Sequence, residues 1–348
     1  MRKSLVSAGC LLSVALVAAQ DRPQQERPQQ ERPQYVERVD VARVLVDVRA
    51  LDGANRPLLG LTPENFQVKI DGKPARIESV QWVTGALLEG EASSISVPLA
   101  QPALPAEGRL IVFLFQKSLE SGRIVGFMRM LIELRGFLDG FTPRDRLAVL
   151  SFDTRLRLWL DFTPDMERVK TVLARDILHG KAAPVNESLP PSLYEALQTQ
   201  RADRTYTMED SLRVIAGALA PLPGAKTVVI VGHGFGRLGR SGVMMENNYE
   251  GARDALQEAR ASVFCLDVTN ADYHSLEAGL QLVAEDTGGF FERTHLFSQL
   301  ALNRLAAAIA GHYVLLVEKP EGKPGHHRID VKLKGRDGRL YARNTFVD

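Results

Sequence analysis

The stretch that decides the fold is Leu110-Ile111-Val112-Phe113-Leu114-Phe115, an apolar run without a polar interruption. A strand that is buried on both faces has this continuous pattern, whereas a strand with one solvated face alternates apolar and polar residues. The runs at 227–231 and 262–268 have the same character farther along the chain. We therefore predict a buried strand at each of these three places.

Segments with helical spacing separate these strands. After the first run, apolar residues recur at the 3.6-residue period over 124–138, which predicts a helix. Two strands follow, at 146–152 and 156–162, and we expect the second to run antiparallel to the first. Strands that alternate with helices predict an α/β fold with a doubly wound, mostly parallel sheet covered by helices on both faces. Further helices are predicted at 165–178, 193–219, 249–260, 275–286 and 296–310.

The two ends of the folded region have β character instead. Residues 39–84 contain runs rich in β-branched side chains, with a hairpin turn at Asp71-Gly72, and residues 312–348 contain three further strand patterns. Each segment alone would leave an apolar face exposed to water, so we predict that they pack together as one small β domain. Residues 85–107 are rich in Ala, Gly, Ser and Pro and are interpreted as a linker to an α/β domain at 108–311.

The N-terminus has the pattern of an export signal. Arg2 and Lys3 precede the apolar residues 5–17, and Val17-Ala18-Ala19 supplies the small residues that signal peptidase requires. We predict a signal peptide at 1–19, with an uncleaved anchor as the alternative. Residues 20–38 repeat Arg-Pro-Gln-Gln-Glu, a composition typical of a disordered tether. The expected location is periplasmic, envelope-associated or extracellular, without a membrane span in the mature chain.

Composition excludes some partners and leaves one cysteine in the mature chain. The 348 residues carry a formal net charge of +1, which gives no sign of the clustered basic surface of a nucleic-acid-binding protein. Cleavage after Ala19 leaves only Cys265, so no internal disulfide can form. Cys265 lies in a predicted buried strand, and we interpret it as a small apolar core residue.

Several short stretches resemble one family in their order and spacing. They are 44–48 (VLVDV), 57–66 (PLLGLTPENF), 71–74 (DGKP), 145–149 (DRLAV), 193–197 (LYEAL) and 284–289 (AEDTGG). The order is similar to that of the Acidobacteria-type von Willebrand factor A-related proteins, over about residues 39–348. This resemblance implies a von Willebrand factor A-like domain with a metal-binding site formed by three loops at the C-terminal edge of its sheet.

At the positions of that family site, this sequence has few oxygen donors. Gln116 takes the place of the first Asp, Ser118 is retained, and Glu120 takes the place of the second Ser. Pro191 stands where the family has Thr, and His233 where it has Asp. Mg²⁺ requires oxygen ligands in an octahedron, and imidazole is a poor ligand for it. We therefore predict a degenerate site with no metal and no cofactor. The alternative is a Zn²⁺ site that uses Glu120 and His233.

Three functions remain open. The first is a protein-binding module that presents loops 116–122, 188–192 and 232–243 to a partner outside the cytoplasm, with the five family-site positions at the contact rim and no catalytic residue. The second is a metal-dependent hydrolase that uses Glu120 and His233. The third is a scaffold of the cell envelope with the Pro/Gln-rich segment as spacer. Asp153, Asp267 and Asp272 lie at or just beyond strand ends, where α/β sheets place ligands, although residues such as the first two more often cap turns or following helices.

Overall fold

All residues of the apolar run at 110–115 are buried in the computed structural model of the protein, which describes residues 42–84, 108–180, 190–240 and 242–348. The signal peptide, tether and linker predicted from the sequence lie outside these ranges. Within them, no helix combines the length and the apolar character needed to cross a bilayer.

The elements follow the alternation predicted from the sequence. The strands are β1 (Arg43–Leu51), β2 (Phe66–Ile70), β3 (Lys73–Ala75), β4 (Ile77–Thr84), β5 (Leu110–Gln116), β6 (Arg146–Phe152), β7 (Leu156–Thr163), β8 (Lys226–Gly232), β9 (Arg237–Gly239), β10 (Gly242–Met244), β11 (Ala261–Asp267), β12 (Phe291–Arg293), β13 (Gly311–Glu318), β14 (His326–Leu333), β15 (Arg339–Ala342) and β16 (Thr345–Val347). The helices are α1 (Ser121–Phe137), α2 (Met166–Thr171), α3 (Ile177–His179), α4 (Tyr194–Thr199), α5 (Met208–Leu219), α6 (Tyr249–Glu258), α7 (Glu277–Thr287) and α8 (Ser298–Ile309).

The central sheet has the order β12-β11-β8-β5-β6-β7. Neighbouring strands from β12 to β6 are parallel, and β7 runs antiparallel to β6 at one end. The predicted fold class, a doubly wound and mostly parallel sheet, is confirmed. The antiparallel direction predicted for the strand after β6 is confirmed as well.

Both faces of the sheet are buried because successive side chains of a strand point to opposite sides. On β5, Ile111, Phe113 and Phe115 belong to one core together with apolar residues of α1 and α8. Val112 and Leu114 belong to the other core, which α5, α6 and α7 cover. The continuous apolar run of β5 therefore supplies two separate cores at once.

Two of the helices predicted from the sequence are interrupted. The helix expected at 165–178 consists of α2, a π-helical turn at Val172–Asp176 and α3. The one expected at 193–219 is divided into α4 and α5, with a 3-10 turn at Ala202–Arg204 between them. Arg201 has a left-handed backbone conformation at this break, and Thr207 caps α5 by accepting a hydrogen bond from the backbone N–H of Asp210.

The small β unit combines the N- and C-terminal segments, as the predicted fold class has it, but by hydrogen bonding within shared sheets. Its two sheets have the orders β15-β1-β13-β4 and β16-β14-β2-β3. Strands of the two segments alternate in the first sheet, and in the second the C-terminal pair β16-β14 is joined to the N-terminal pair β2-β3. The described residues from 42 to 348 belong to one compact unit. The division into separate domains at the boundaries given above therefore stays a prediction.

Candidate functional site at the C-terminal edge of the central sheet

The candidate site lies where β5, β8 and β11 end. These strands are parallel neighbours, so the loops that leave them emerge at the same edge of the sheet. Asp267, the last residue of β11, is in register with Gly232, the last residue of β8. We call the loop residues 117–120, 233–240, 242–248 and 268–276 the edge loops. The buried strands below them form a rigid base.

Gln116, the last residue of β5, holds the loop after β8 through its side-chain amide. Its Nε2 donates a hydrogen bond to the carbonyl oxygen of Gly234 at 2.7 Å, and its Oε1 accepts one from the backbone N–H of His233 at 2.9 Å. The side chain is buried. Gly234 has a φ of 104°, and a Cβ there would lie 2.4 Å from the carbonyl oxygen of Leu276. The β8 loop therefore passes close to both neighbours, and Gln116 holds it in place.

The other positions of the family site have different surroundings. Ser118 accepts a hydrogen bond from the backbone N–H of Glu120 through its Oγ. The Glu120 carboxylate is exposed and pairs with Arg123 at 3.1 Å. Beside Pro191, the hydroxyl of Ser192 donates to Asp161 at 2.6 Å. These contacts are local, and within the described residues Glu120 and His233 belong to no group of three metal-binding side chains.

This set of donors does not fit a hard octahedral cation. Both polar atoms of the Gln116 amide are already bonded to the backbone, Pro191 offers no side-chain oxygen, and His233 offers nitrogen. Mg²⁺ prefers oxygen ligands, including carboxylates, at nearly ideal octahedral positions. The contact role predicted for Gln116, Ser118, Glu120, Pro191 and His233 stays a prediction.

The imidazole ring of His233 is buried. Its Nδ1 is fully covered and has no hydrogen-bond partner among the described residues. Burial, with smaller contributions from Arg123 and His274, lowers the pKa of this imidazole to about 3, while the hydrogen bond to Gln116 opposes the shift. His233 is therefore a neutral imidazole at the end of β8 over the physiological pH range.

A group that the sequence did not predict lies one strand farther along. Asp267, His274 and Glu277 bring one potential ligand atom each within 4.8 Å of one another, and no other such group of three or more occurs in the described residues. Nε2 of His274 lies 2.7 Å from Oδ2 of Asp267. Arg293 donates two hydrogen bonds to Glu277, at 2.8 and 2.6 Å. Of these three residues, the strand-end rule indicated only Asp267, because His274 lies in a turn and Glu277 begins a helix, and no local pattern shows that they meet Asp267.

The edge loops also expose large apolar side chains. The exposed fractions are 89% for Leu119, 70% for Tyr273, 66% for Leu238 and 57% for Met244. Leu119 follows β5, Leu238 and Met244 lie in the β9–β10 hairpin after β8, and Tyr273 follows β11. Three successive loops at one edge of the sheet therefore present apolar groups to solvent.

Comparisons with known proteins find similarity only among solved structures. No protein-family model and no curated protein matches the sequence. A von Willebrand factor type A protein from Catenulispora acidiphila aligns over 88% of this chain and 72% of its own, at 10% identity and a TM-score of 0.42. An aerotolerance-related membrane protein from Bacteroides fragilis aligns over 58% of this chain and 98% of its own, at 14% identity and 0.39. The manganese-loaded TRAP protein from Plasmodium vivax aligns over 68% and 93%, at 11% identity and 0.38.

These TM-scores are too low to support a functional argument, so the class of the protein rests on its own topology. The sheet order, the single antiparallel strand beside β6 and the helices on both faces define an α/β domain of the von Willebrand factor A-like type. This fold agrees with the one that the sequence resemblance implied.

Proposed function

We propose that the protein is a binding module that captures a protein partner through the edge loops, outside the cytoplasm and without a catalytic step. The observation that carries this proposal is the exposure of Leu119, Leu238, Met244 and Tyr273 on loops that emerge at one edge of the sheet. Exposed large apolar groups on neighbouring loops are typical of protein interaction sites. The export predicted from residues 1–19 supports the location.

The buried strands beneath the loops favour a binding surface that is ordered before the partner arrives. The loops leave strands in which every residue is buried, and the Gln116 amide ties the β5 and β8 loops together. A contact surface that is already ordered loses less conformational entropy when a partner binds. A contact made by apolar groups also needs no bridging cation, which agrees with the donor set at the family-site positions.

The experiment uses a photo-crosslinking amino acid at position 119 or 238 in the chain purified after export. Each variant is incubated with envelope extract of the source organism, irradiated, and analysed by mass spectrometry with and without excess unlabelled chain. We expect one partner at both positions, competed by the unlabelled chain and unaffected by a chelator of divalent cations. Cross-linker at position 132 is the matched control, because Ile132 is 66% exposed on α1 and outside the edge loops.

Substitution separates contact from folding. The double variant Leu119→Asp/Leu238→Asp should lose partner capture, while its unfolding free energy stays within about 0.5 kcal/mol of the wild type, as for other exposed positions. Ile132→Asp should retain capture. Equal capture by the double variant and the wild type, or cross-links at position 132 to the same partner, would exclude the edge loops as the binding surface.

A further inference from the structure

Three successive parts of the fold supply the group of Asp267, His274 and Glu277. Asp267 ends β11, His274 lies in the turn that follows, and Glu277 is the first residue of α7. The two carboxylates are almost completely buried, and the imidazole is partly accessible from the edge of the sheet. Three potential ligands therefore converge at a place that solvent and small ions can reach.

Neighbouring groups hold the ligands in orientation. The backbone N–H of Thr269 donates to Oδ1 of Asp267 at 2.9 Å, which turns Oδ2 toward His274. Arg293 fixes both oxygens of Glu277 with a pair of hydrogen bonds. A carboxylate oxygen has two acceptor positions, so each oxygen can still bind a cation. Such outer contacts orient the ligands in protein metal sites.

With His274 as a neutral imidazole, the form that binds metals, the charges of the group are not balanced by its protein neighbours. Asp267 and Glu277 supply two negative charges, and Arg293, whose side chain is partly exposed, supplies one positive charge in direct contact. A buried carboxylate without a full counter-charge is costly in free energy. A bound divalent cation between Asp267 and Glu277 would remove that cost.

A second imidazole borders the group. His233 directly follows Gly232, which is the register partner of Asp267, and the backbone N–H of Val268 donates to the carbonyl oxygen of Gly232 at 2.8 Å. Its covered Nδ1 has no hydrogen-bond partner among the described residues. A neutral imidazole is the form that binds metals. The surroundings of the group therefore contain nitrogen as well as oxygen donors.

We propose that Asp267, His274 and Glu277 form a Zn²⁺ site. One imidazole and two carboxylates are ligands that Zn²⁺ accepts, and three protein ligands leave a position for water. The imidazole disfavours Mg²⁺ and Ca²⁺. Ligand atoms on one zinc ion lie roughly 3–3.6 Å apart at bond lengths near 2 Å, so a group already within 4.8 Å needs only small side-chain rotations.

This site is separate from the positions where the family holds its metal. Those positions lie on the loops after β5 and β8 and include Gln116 and His233, whereas Asp267 ends β11 and the other two ligands follow it. The zinc site also does not depend on the proposed partner contact, because its ligands differ from the exposed apolar residues of the edge loops. Either proposal can fail without the other.

The test is Zn²⁺ binding to the purified full chain after treatment with a chelator and its removal. We expect calorimetric titration with zinc chloride to give one ion per chain, a higher melting temperature with zinc, and visible absorption bands when Co²⁺ replaces it. His274→Ala and Glu277→Gln should each weaken zinc binding by about 100-fold or more, since even outer contacts of metal ligands change affinity by about 10–100-fold. Glu277→Gln keeps an oxygen acceptor for Arg293, so it reports on binding if His274→Ala does not fold.

The matched control is His295→Ala. This histidine pairs with the exposed Asp272 at the same edge, at 2.9 Å, and lies outside the group of three. It should bind zinc as the wild type does. Binding of much less than one ion per chain would overturn the proposal and leave His274 as the hydrogen-bond partner of Asp267 only. Undiminished affinity in Glu277→Gln, with circular dichroism like that of the wild type, would overturn it as well.

Discussion

The N-terminal and C-terminal edges of the central sheet differ in the side chains that they expose to solvent. At the N-terminal edge, buried charged groups have close partners: Arg109 forms two hydrogen bonds with Asp145, and Arg260 pairs with Asp47 of β1. At the C-terminal edge, Glu277 and Arg293 are paired as well, but the loops there expose large apolar side chains. One edge is organised for stability, and the other is organised for contact.

The small β unit contacts the N-terminal edge of the central sheet directly. Arg49 of β1 reaches into the α/β core, where its guanidinium donates to Oγ of Ser262 at the start of β11 and to the carbonyl oxygen of Ala308 near the end of α8. The β unit thus packs against the start of β11 and the end of α8 at this edge. An ion pair that is removed from water must be complete, because a single buried charge is strongly destabilising.

The largest effect should come from the N-terminal edge. Asp145 is fully buried, and Asp145→Asn leaves the charge of Arg109 without its partner. We expect a loss of about 3–5 kcal/mol in the free energy of unfolding, measured by denaturant titration. Asp139→Asn is the control, since Asp139 is exposed and its pair with Lys170 should contribute less than about 1 kcal/mol. Similar losses in both variants would mean that burial of the Arg109–Asp145 pair does not set its contribution to stability.

A pH dependence should also belong to the N-terminal edge. Burial lowers the pKa of His312 to about 4, with a further contribution from Arg49, while Asp47 opposes the shift. Below the ordinary value near 6.5 the unfolded chain takes up a proton that the folded chain refuses until about pH 4. Stability present above pH 6.5 is therefore lost as the pH falls, by about 1.4 kcal/mol per unit.

The measurement compares denaturant unfolding of the wild type and His312→Gln between pH 6.5 and 5. The variant should lose less stability than the wild type over this range, so that the difference between them changes steadily with pH. His326→Gln serves as the control because His326 is exposed. Parallel pH profiles for the wild type and His312→Gln would show that the buried imidazole does not titrate as described.

The smallest effect concerns the C-terminal edge itself. Gln116→Ala removes the partner of the His233 N–H and of the Gly234 carbonyl, both held at the end of buried strands. Leaving buried polar groups without partners costs about 1–3 kcal/mol. We expect that loss together with faster amide hydrogen exchange at His233. Gln299→Ala, on the exposed side of α8, should leave the free energy of unfolding and the amide exchange at His233 unchanged. An equal change in this control would show that Gln116 does not hold the loop after β8 in place.

The sequence predicted the central sheet well because burial on both faces leaves an unmistakable pattern. The run at 110–115 indicated β5, and the alternation of helices and strands indicated the doubly wound class. The β9–β10 hairpin did not emerge from the sequence, because its short strands at Arg237–Gly239 and Gly242–Met244 are largely exposed and have no apolar period. The split of 165–178 by a π-helical turn was missed for a related reason, since the apolar spacing continues across it.

The candidate site was predictable only in part. The strand ends located Gln116, His233 and Asp267 at one edge, because parallel strands end together. The exposed apolar residues of the loops could not be inferred, since an apolar residue in a loop has the same letter whether it is covered or open to solvent. His274 and Glu277 were missed because their meeting with Asp267 depends on how the turn after β11 folds back.

By itself, the sequence determined where apolar residues must be buried, and with them the strands, the helices and the class of the fold. Those features depend on the local period of side chains along the chain. Only the tertiary structure decided that the terminal segments share two sheets, that the amide of Gln116 joins two loops, and that Asp267, His274 and Glu277 converge. These features depend on contacts between residues distant in sequence or brought together by a turn, and no local pattern records such distances.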